Sequence, residues 1–214
     1  MEKFAFLLSS ILVAAVCTFA HANEDLTFDG EKFANQEELD KYKKEKEARD
    51  KERDELKQGK TKEDGTFEQR IDDKWLFSKK TSALGDRDTV TIFLEAKFES
   101  NFEKVLMIRC RDNETDVMFA VKSYMGSDDS QKIEWKIDDA PISKTTANAS
   151  SDGRAVFIRN PIAFLRSLFE KKRLAMRVTP RNSGSIEALF DIEGIEKVIG
   201  PVEKACNWKP GKKS

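Results

Sequence analysis

From residue 71 onward the apolar residues fall at every second position or in short runs, and only two stretches show the three-to-four spacing of a helix. Thr89 to Ala96, Val105 to Cys110, Asp116 to Val121, Arg154 to Ile158, Leu174 to Thr179 and Ser185 to Asp191 each read as a strand, rich in β-branched and aromatic residues. A seventh, Lys132 to Ile137, alternates and puts Ile133, Trp135 and Ile137 on one face. Arg111-Asp112-Asn113-Glu114 joins two of these strands as a turn, and Pro180 to Gly184 has the length of a hairpin connection. Asn148 to Gly153 reads as a loop of turn formers.

Two short helices interrupt the strands. Asn160-Pro161 predicts an N-cap followed by proline at the first helical position, with Ile162, Phe164, Leu165, Leu168 and Phe169 as the apolar stripe. The basic Lys171-Lys172-Arg173 closes that helix and complements its dipole. Gly194 opens a second helix that carries Ile195, Val198, Ile199 and Val202 to Cys206. The expected fold is mainly β (α+β), an antiparallel β-sandwich or half-barrel of about seven strands with these two helices.

Between residues 23 and 70 the pattern changes to a charged helical spacer or linker. Gln36 to Lys57 is almost entirely charged, with Leu39, Tyr42, Ala48 and Leu56 as its few apolar positions, so it lacks the a/d stripe of a coiled coil. Acid-to-base pairs four residues apart, such as Glu37 to Lys41 and Glu47 to Lys51, favour a solvated helix of roughly 30 Å. Gly59 to Thr66 reads as a flexible joint, and the folded domain is expected over residues 71–208 with a basic tail at 209–214.

The first residues, Met1-Glu2-Lys3, precede an apolar run from Phe4 to Phe19 and then Ala20-His21-Ala22, the pattern of a signal peptide over residues 1–22 cleaved between Ala22 and Asn23. Cleavage leaves no transmembrane span and an exported, periplasmic chain. It also removes His21, the one histidine of the chain, and with it histidine triads, histidine metal sites and histidine pH switching. Cys17 leaves as well, so an even pair remains, Cys110 and Cys206, and an oxidising compartment makes a disulfide the default. The alternative, a reactive thiol, needs a low-pKa setting that two isolated cysteines do not advertise.

With 36% charged residues but a formal net charge of −1, the chain has no global field to favour nucleic acid. It carries no Gly-rich phosphate loop, no HExxH, no CxxC and no serine elbow, so no catalytic residue, cofactor or metal site is assigned. The paired acids Asp128-Asp129 and Asp138-Asp139 read as solvated turn residues. Arg109 and Arg177 each stand in an otherwise apolar strand and Asp191 closes a third, so an Arg to Asp pair or an anionic partner is expected there. Trp75 and Trp208 read as core aromatics beside the disulfide or as a binding platform.

One ordered set of residues resembles a known family. It runs from Trp75 and Ser82-Ala83-Leu84 through Leu106 to Cys110, Asn113, and Ser151-Asp152-Gly153-Arg154. It continues with Asn160-Pro161-Ile162, Arg177-Val178-Thr179-Pro180, Phe190-Asp191-Ile192 and Ala205-Cys206-Asn207-Trp208. Over Asp73 to Trp208 the chain resembles the TagO or VasI accessory proteins of bacterial type VI secretion, with the charged helix outside the resemblance. Arg181 stands where the family commonly has an aromatic. The resemblance implies a periplasmic, non-enzymatic accessory or interaction protein that binds an envelope or secretion-apparatus protein, or peptidoglycan. Arg109, Arg177, Arg181, Asp191, Trp75 and Trp208 are the candidate partner-binding residues. A secreted inhibitor of a cell-wall hydrolase, of the lysozyme-inhibitor type, is the alternative.

Overall fold

The computed structural model describes residues 26–98, 102–127, 130–180 and 184–208. The signal peptide with Cys17, His21 and the Ala22/Asn23 junction, the pair Asp128-Asp129, Arg181 and the tail 209–214 lie outside the described residues. The chain divides into two compact units, residues 1–48 and 49–214.

In the first unit, β1 (Thr27–Phe28) and β2 (Glu31–Lys32) form a minimal antiparallel hairpin. Its turn is Asp29-Gly30, both at positive φ, the residue pair that suits a tight hairpin. Helix α1 (Gln36–Gln58) begins after Asn35, whose side-chain oxygen accepts the Glu38 N–H at 2.9 Å, while the Glu38 carboxylate accepts the Ala34 N–H at 3.1 Å. This reciprocal arrangement satisfies one N–H that the first helical turn leaves open and one N–H of the chain entering the helix. Tyr42 on α1 packs against Phe28 and Phe33 at ring-centroid distances of 6.1 and 4.9 Å, and Lys46 pairs with Asp29. The start of the charged helix is therefore anchored by a small aromatic cluster, which its composition alone had not indicated.

The second unit holds the end of α1 and one curled sheet. Its strands are β3 (Lys60–Thr61), β4 (Phe67–Arg70), β5 (Trp75–Thr81), β6 (Asp88–Glu95), β7 (Lys104–Arg111) and β8 (Glu114–Val121). They are followed by β9 (Gln131–Ile137), β10 (Ser143–Ala149), β11 (Ala155–Phe157), β12 (Arg173–Thr179) and β13 (Ile186–Asp191). All neighbours are antiparallel, in the order β13-β12-β9-β10-β11-β8-β7-β6-β5-β4-β3. Just past β6, the Lys97 N–H donates to Leu189 O of β13 at 2.7 Å, so the sheet curls until it nearly closes on itself. Phe119 of β8 and Phe190 of β13 meet edge to face across the interior, with centroids 6.0 Å apart.

One ladder row shows the core side: Trp75, Leu94, Leu106, Phe119 and Val156 stand opposite one another on five adjacent strands, and all are buried. Helices α2 (Pro161–Ser167), α3 (Ile195–Val198) and α4 (Gly200–Ala205) add Phe164, Leu165, Ile195, Val198 and Val202 to that core. Each such burial contributes about 1.5 to 3 kcal/mol.

The expectation of a mainly β, antiparallel fold, a sandwich or half-barrel with short helices, holds as one curled sheet, with differences of detail. The sheet has eleven strands among the described residues, against about seven expected. Ser143–Ala149 had no apolar alternation to reveal it, because Ala147 is its one buried residue. Strand β5 was overlooked because it turns polar after Phe77. The supposed joint at 59–66 is a hairpin in which Lys62 N–H donates to Thr66 O and Asp64 accepts the Thr66 N–H. The last helix is broken in two, since Pro201 cannot continue the hydrogen-bond ladder of α3. Asn160 precedes α2 with φ of 52°, and its side chain caps nothing.

Candidate functional site

Strands β9, β12 and β13 face the core with Ile133, Met176, Val178, Ala188 and Phe190, so the alternate residues look outward. Pairing register brings Glu134, Arg177 and Glu187 into one outward row and Lys136, Ala175 and Leu189 into the next. Arg177 bridges its row, with Nε donating to Glu187 at 2.6 Å and Nη1 to Glu134 at 2.8 Å. Lys144 of β10 reaches the other Glu134 oxygen at 2.7 Å. The Lys144 ammonium and then the Arg177 guanidinium hold the Glu134 carboxyl below its ordinary range, and the two glutamates, Glu187 first, raise Arg177. Glu134 is held by two cations and Arg177 by two carboxylates, an arrangement suited to a fixed shape rather than to proton transfer.

In the second row the small Ala175 leaves a dent between longer neighbours. With Leu189 as its floor, the dent widens into an open groove of about 340 Å³, edged by Phe98 and Ile142. Phe98 is 97% exposed and Ile142 54%. Phe98 also holds φ of 63°, a conformation that costs a bulky residue free energy. Phe98 thus combines near-complete exposure with a left-handed backbone on the rim of an apolar groove.

The sequence-derived candidates do not converge on one site. Arg177 lines this groove, whereas Arg109 stands on β7 and binds Asp116 directly opposite on β8, at 2.6 Å from Nη2 and 3.1 Å from Nε. Asp191 pairs with neither arginine; Lys74 reaches it at 3.2 Å and Lys97 at 3.5 Å. Burial works to raise the Asp191 carboxyl, but the hydrogen bonds from Lys74 and the Glu193 N–H outweigh it and hold it low. Asp138 accepts the backbone N–H groups of Lys172 and Arg173, and Asp139 pairs with Arg173.

Cys110 and Cys206 form a disulfide, with Cα atoms 5.7 Å apart. Trp208 lies beside it, its indole N–H donating to Thr115, the ladder partner of Cys110, at 2.7 Å. Trp75 is wholly buried and away from the disulfide: it faces Leu94, whereas Cys110 faces Val90, four residues along the same strand.

Glu134, Glu187, Phe98 and Ile142 went unnoticed in the sequence. The one usable clue was Arg177 itself, a charge needing partners in an apolar strand; which carboxylates supply them depends on register.

The family profile described as type VI secretion system VasI, EvfG, VC_A0118 matches residues 32–208, a span holding the outward rows, the disulfide and also α1. The chain belongs to the VasI family. It is thus a type VI secretion-related accessory protein, and the family match takes in the charged helix that the residue-by-residue resemblance had left outside. Comparison with curated proteins finds no match. Among solved structures, invasion associated protein B from Bartonella henselae aligns over 62% of this chain and 95% of its own, at 12% identity and a TM-score of 0.40. That likeness is too slight to carry anything across.

Proposed function

We propose that this VasI-family chain is exported to the periplasm, with its signal peptide cleaved between Ala22 and Asn23, and serves type VI secretion there without catalysing a reaction. Its task is to bind an envelope protein of the secretion apparatus, which presents a large apolar side chain to the dent over Ala175 between Phe98 and Ile142. The observation that carries the reading is the exposed, left-handed Phe98 beside an apolar floor held in shape by the Glu134-Arg177-Glu187 row. The disulfide supports an oxidising compartment.

The test begins with the full precursor expressed in a bacterium carrying a type VI system, followed by N-terminal sequencing of the periplasmic form, which should start at Asn23. Photo-crosslinking from position 98 of that intact chain should then capture one secretion-apparatus protein, and Ala175→Trp, which fills the dent, should abolish the adduct. An unprocessed cytoplasmic chain would overturn the export step. Adducts that persist in Ala175→Trp would overturn the groove.

A further inference from the structure

The sheet has an open edge within its own strand order. β10 pairs with β9 from Ser143 to Ala147 but with β11 only at Asn148 and Ala149, because β11 is three residues long and ends at Phe157. Backbone groups of a strand point alternately to its two sides. The Ser150 N–H donates to Ala155 O at 2.7 Å on the β11 side, so Asn148, Thr146 and Lys144 turn their backbone groups to that side too. Beside Thr146 and Lys144 no strand remains: past Phe157 the Ile158 N–H donates to Val117 O of β8, and α2 packs on β8. Among the described residues, the backbone N–H and C=O groups of Lys144 and Thr146 have no backbone partner.

The side chains report the same opening. Thr145 stands opposite the fully buried Ile133 and turns toward the core, yet it is only half-buried, and Ser143, opposite Trp135, is exposed. On the outward side, Lys144, Glu134, Arg177 and Glu187 alternate base and acid across β10, β9, β12 and β13, linked at 2.7, 2.8 and 2.6 Å. The row stops at Lys144, whose side chain is 71% exposed. An ammonium has three donors, so Lys144 can accept a second carboxylate beside Glu134. The outer edges of the sheet differ: β3 is two residues long, and β13 already takes the Lys97 N–H at Leu189 O.

We infer that β10 accepts an extended segment of a partner protein as one more antiparallel strand, with a carboxylate beside Lys144 and a β-branched apolar residue on either side of that acid. A row of free backbone donors and acceptors is matched by another extended backbone, and by neither a helix nor a small ion. The charged row calls for an acid in its next place, since like charges directly opposite destabilise a sheet. Alternation along the added strand then turns the residues flanking the acid to the inner side, where Thr145 and Ser143 are left open. This edge is separate from the floor of the groove over Ala175, and each reading can fail without the other.

The experiment uses the ¹⁵N-labelled chain from Asn23 to Ser214, with amide hydrogen exchange followed residue by residue. Three synthetic peptides of about seven residues serve as probes. One is valine-rich with a central glutamate, the second has lysine in its place, and the third is the glutamate peptide N-methylated at the amides that would bond to β10. In the free chain the Lys144 and Thr146 amides should exchange fast, and those of Thr145 and Ala147, which face β9, slowly. The glutamate peptide should slow Lys144 and Thr146 about tenfold or more and leave Thr145 and Ala147 as they were. The lysine peptide should bind about tenfold more weakly. The N-methylated peptide should not bind. Lys144→Glu, a change at an exposed position, should invert the preference, and Ala175→Trp, which fills the groove, should leave the protection in place.

Slow exchange of Lys144 and Thr146 in the free chain would show the edge already filled and overturn the assignment. So would equal binding of the glutamate and lysine peptides, binding of the N-methylated peptide, or no protection by any of them. Loss of protection in Ala175→Trp would place the segment in the groove instead. Protection that grows with protein concentration in the absence of peptide would also overturn it, by identifying a second copy of the chain as the occupant.

Discussion

Removing the disulfide gives a prediction with a workable magnitude. Cys110 sits on β7 and Cys206 ends α4, with a sequence separation of 96, so the bond closes most of the second unit into one loop. Loop-closure entropy for a loop near that length makes the oxidised chain more stable by about 4 to 5 kcal/mol, because the unfolded ensemble loses conformations while the native state gains little. The native contacts around the bond do not depend on it. Val202 and Ile195 are fully buried, Val198 nearly so, and α4 packs on β6 and β7. The Cys110→Ala, Cys206→Ala double variant should therefore keep its native near-ultraviolet spectrum and still lose most of that stability. Equilibrium urea unfolding followed by tryptophan fluorescence measures it, and with an m-value of about 2 kcal/mol/M the midpoint should fall by about 2 M. Unmutated protein treated with reductant should unfold along the same curve as the double variant. A loss below about 1.5 kcal/mol, or reduced and mutated proteins that disagree, would refute the entropic reasoning and place the stabilisation in strain or packing at the bond.

Three smaller predictions follow from local geometry. Arg109→Met leaves the half-buried Asp116 without its two hydrogen bonds and should cost about 1 to 2 kcal/mol; adding Asp116→Leu should recover part of that, and a double-mutant cycle showing no coupling would contradict the pair. Gly153→Ala places a methyl group 2.3 Å from the Tyr124 ring and 3.0 Å from Gly126 O at φ of 64°, so thermal unfolding should show a loss of about 1 to 2 kcal/mol, whereas Gly184→Ala, with open space around it, should be close to neutral. Asp138 has its carboxyl held below its ordinary 3.8 by the Arg173 and Lys172 backbone N–H groups, so it stabilises the fold above that value and the contribution fades as pH falls through the lowered one. Asp138→Asn should flatten the acid limb of stability measured below about pH 4, and an unchanged limb would remove Asp138 from that role.

Much of the architecture was legible along the chain. Alternation is a property of successive residues in one strand, so Lys132 to Ile137 and Leu174 to Thr179 announced themselves whatever lay beside them. Two cysteines far apart in sequence pointed to the bond that forms. Ser143–Ala149 escaped because its place is secured by pairing with β9 and β11 and not by apolar side chains of its own. Asn160-Pro161 announced a helix start correctly but not its cap, since the left-handed backbone at Asn160 turns the side chain away from the first turn.

The sequence by itself thus determined a β-rich domain with one disulfide and a charged helix before it, each written in local pattern or composition. Only the tertiary structure decided what faces what. Arg177 meets Glu134 and Glu187 instead of Asp191, Arg109 meets Asp116, and Leu76 aligns with Phe93, Met107, Met118 and Phe157. Those rows depend on register, and a slip of one residue in any strand would send every side chain of that strand to the opposite face without altering a single local preference.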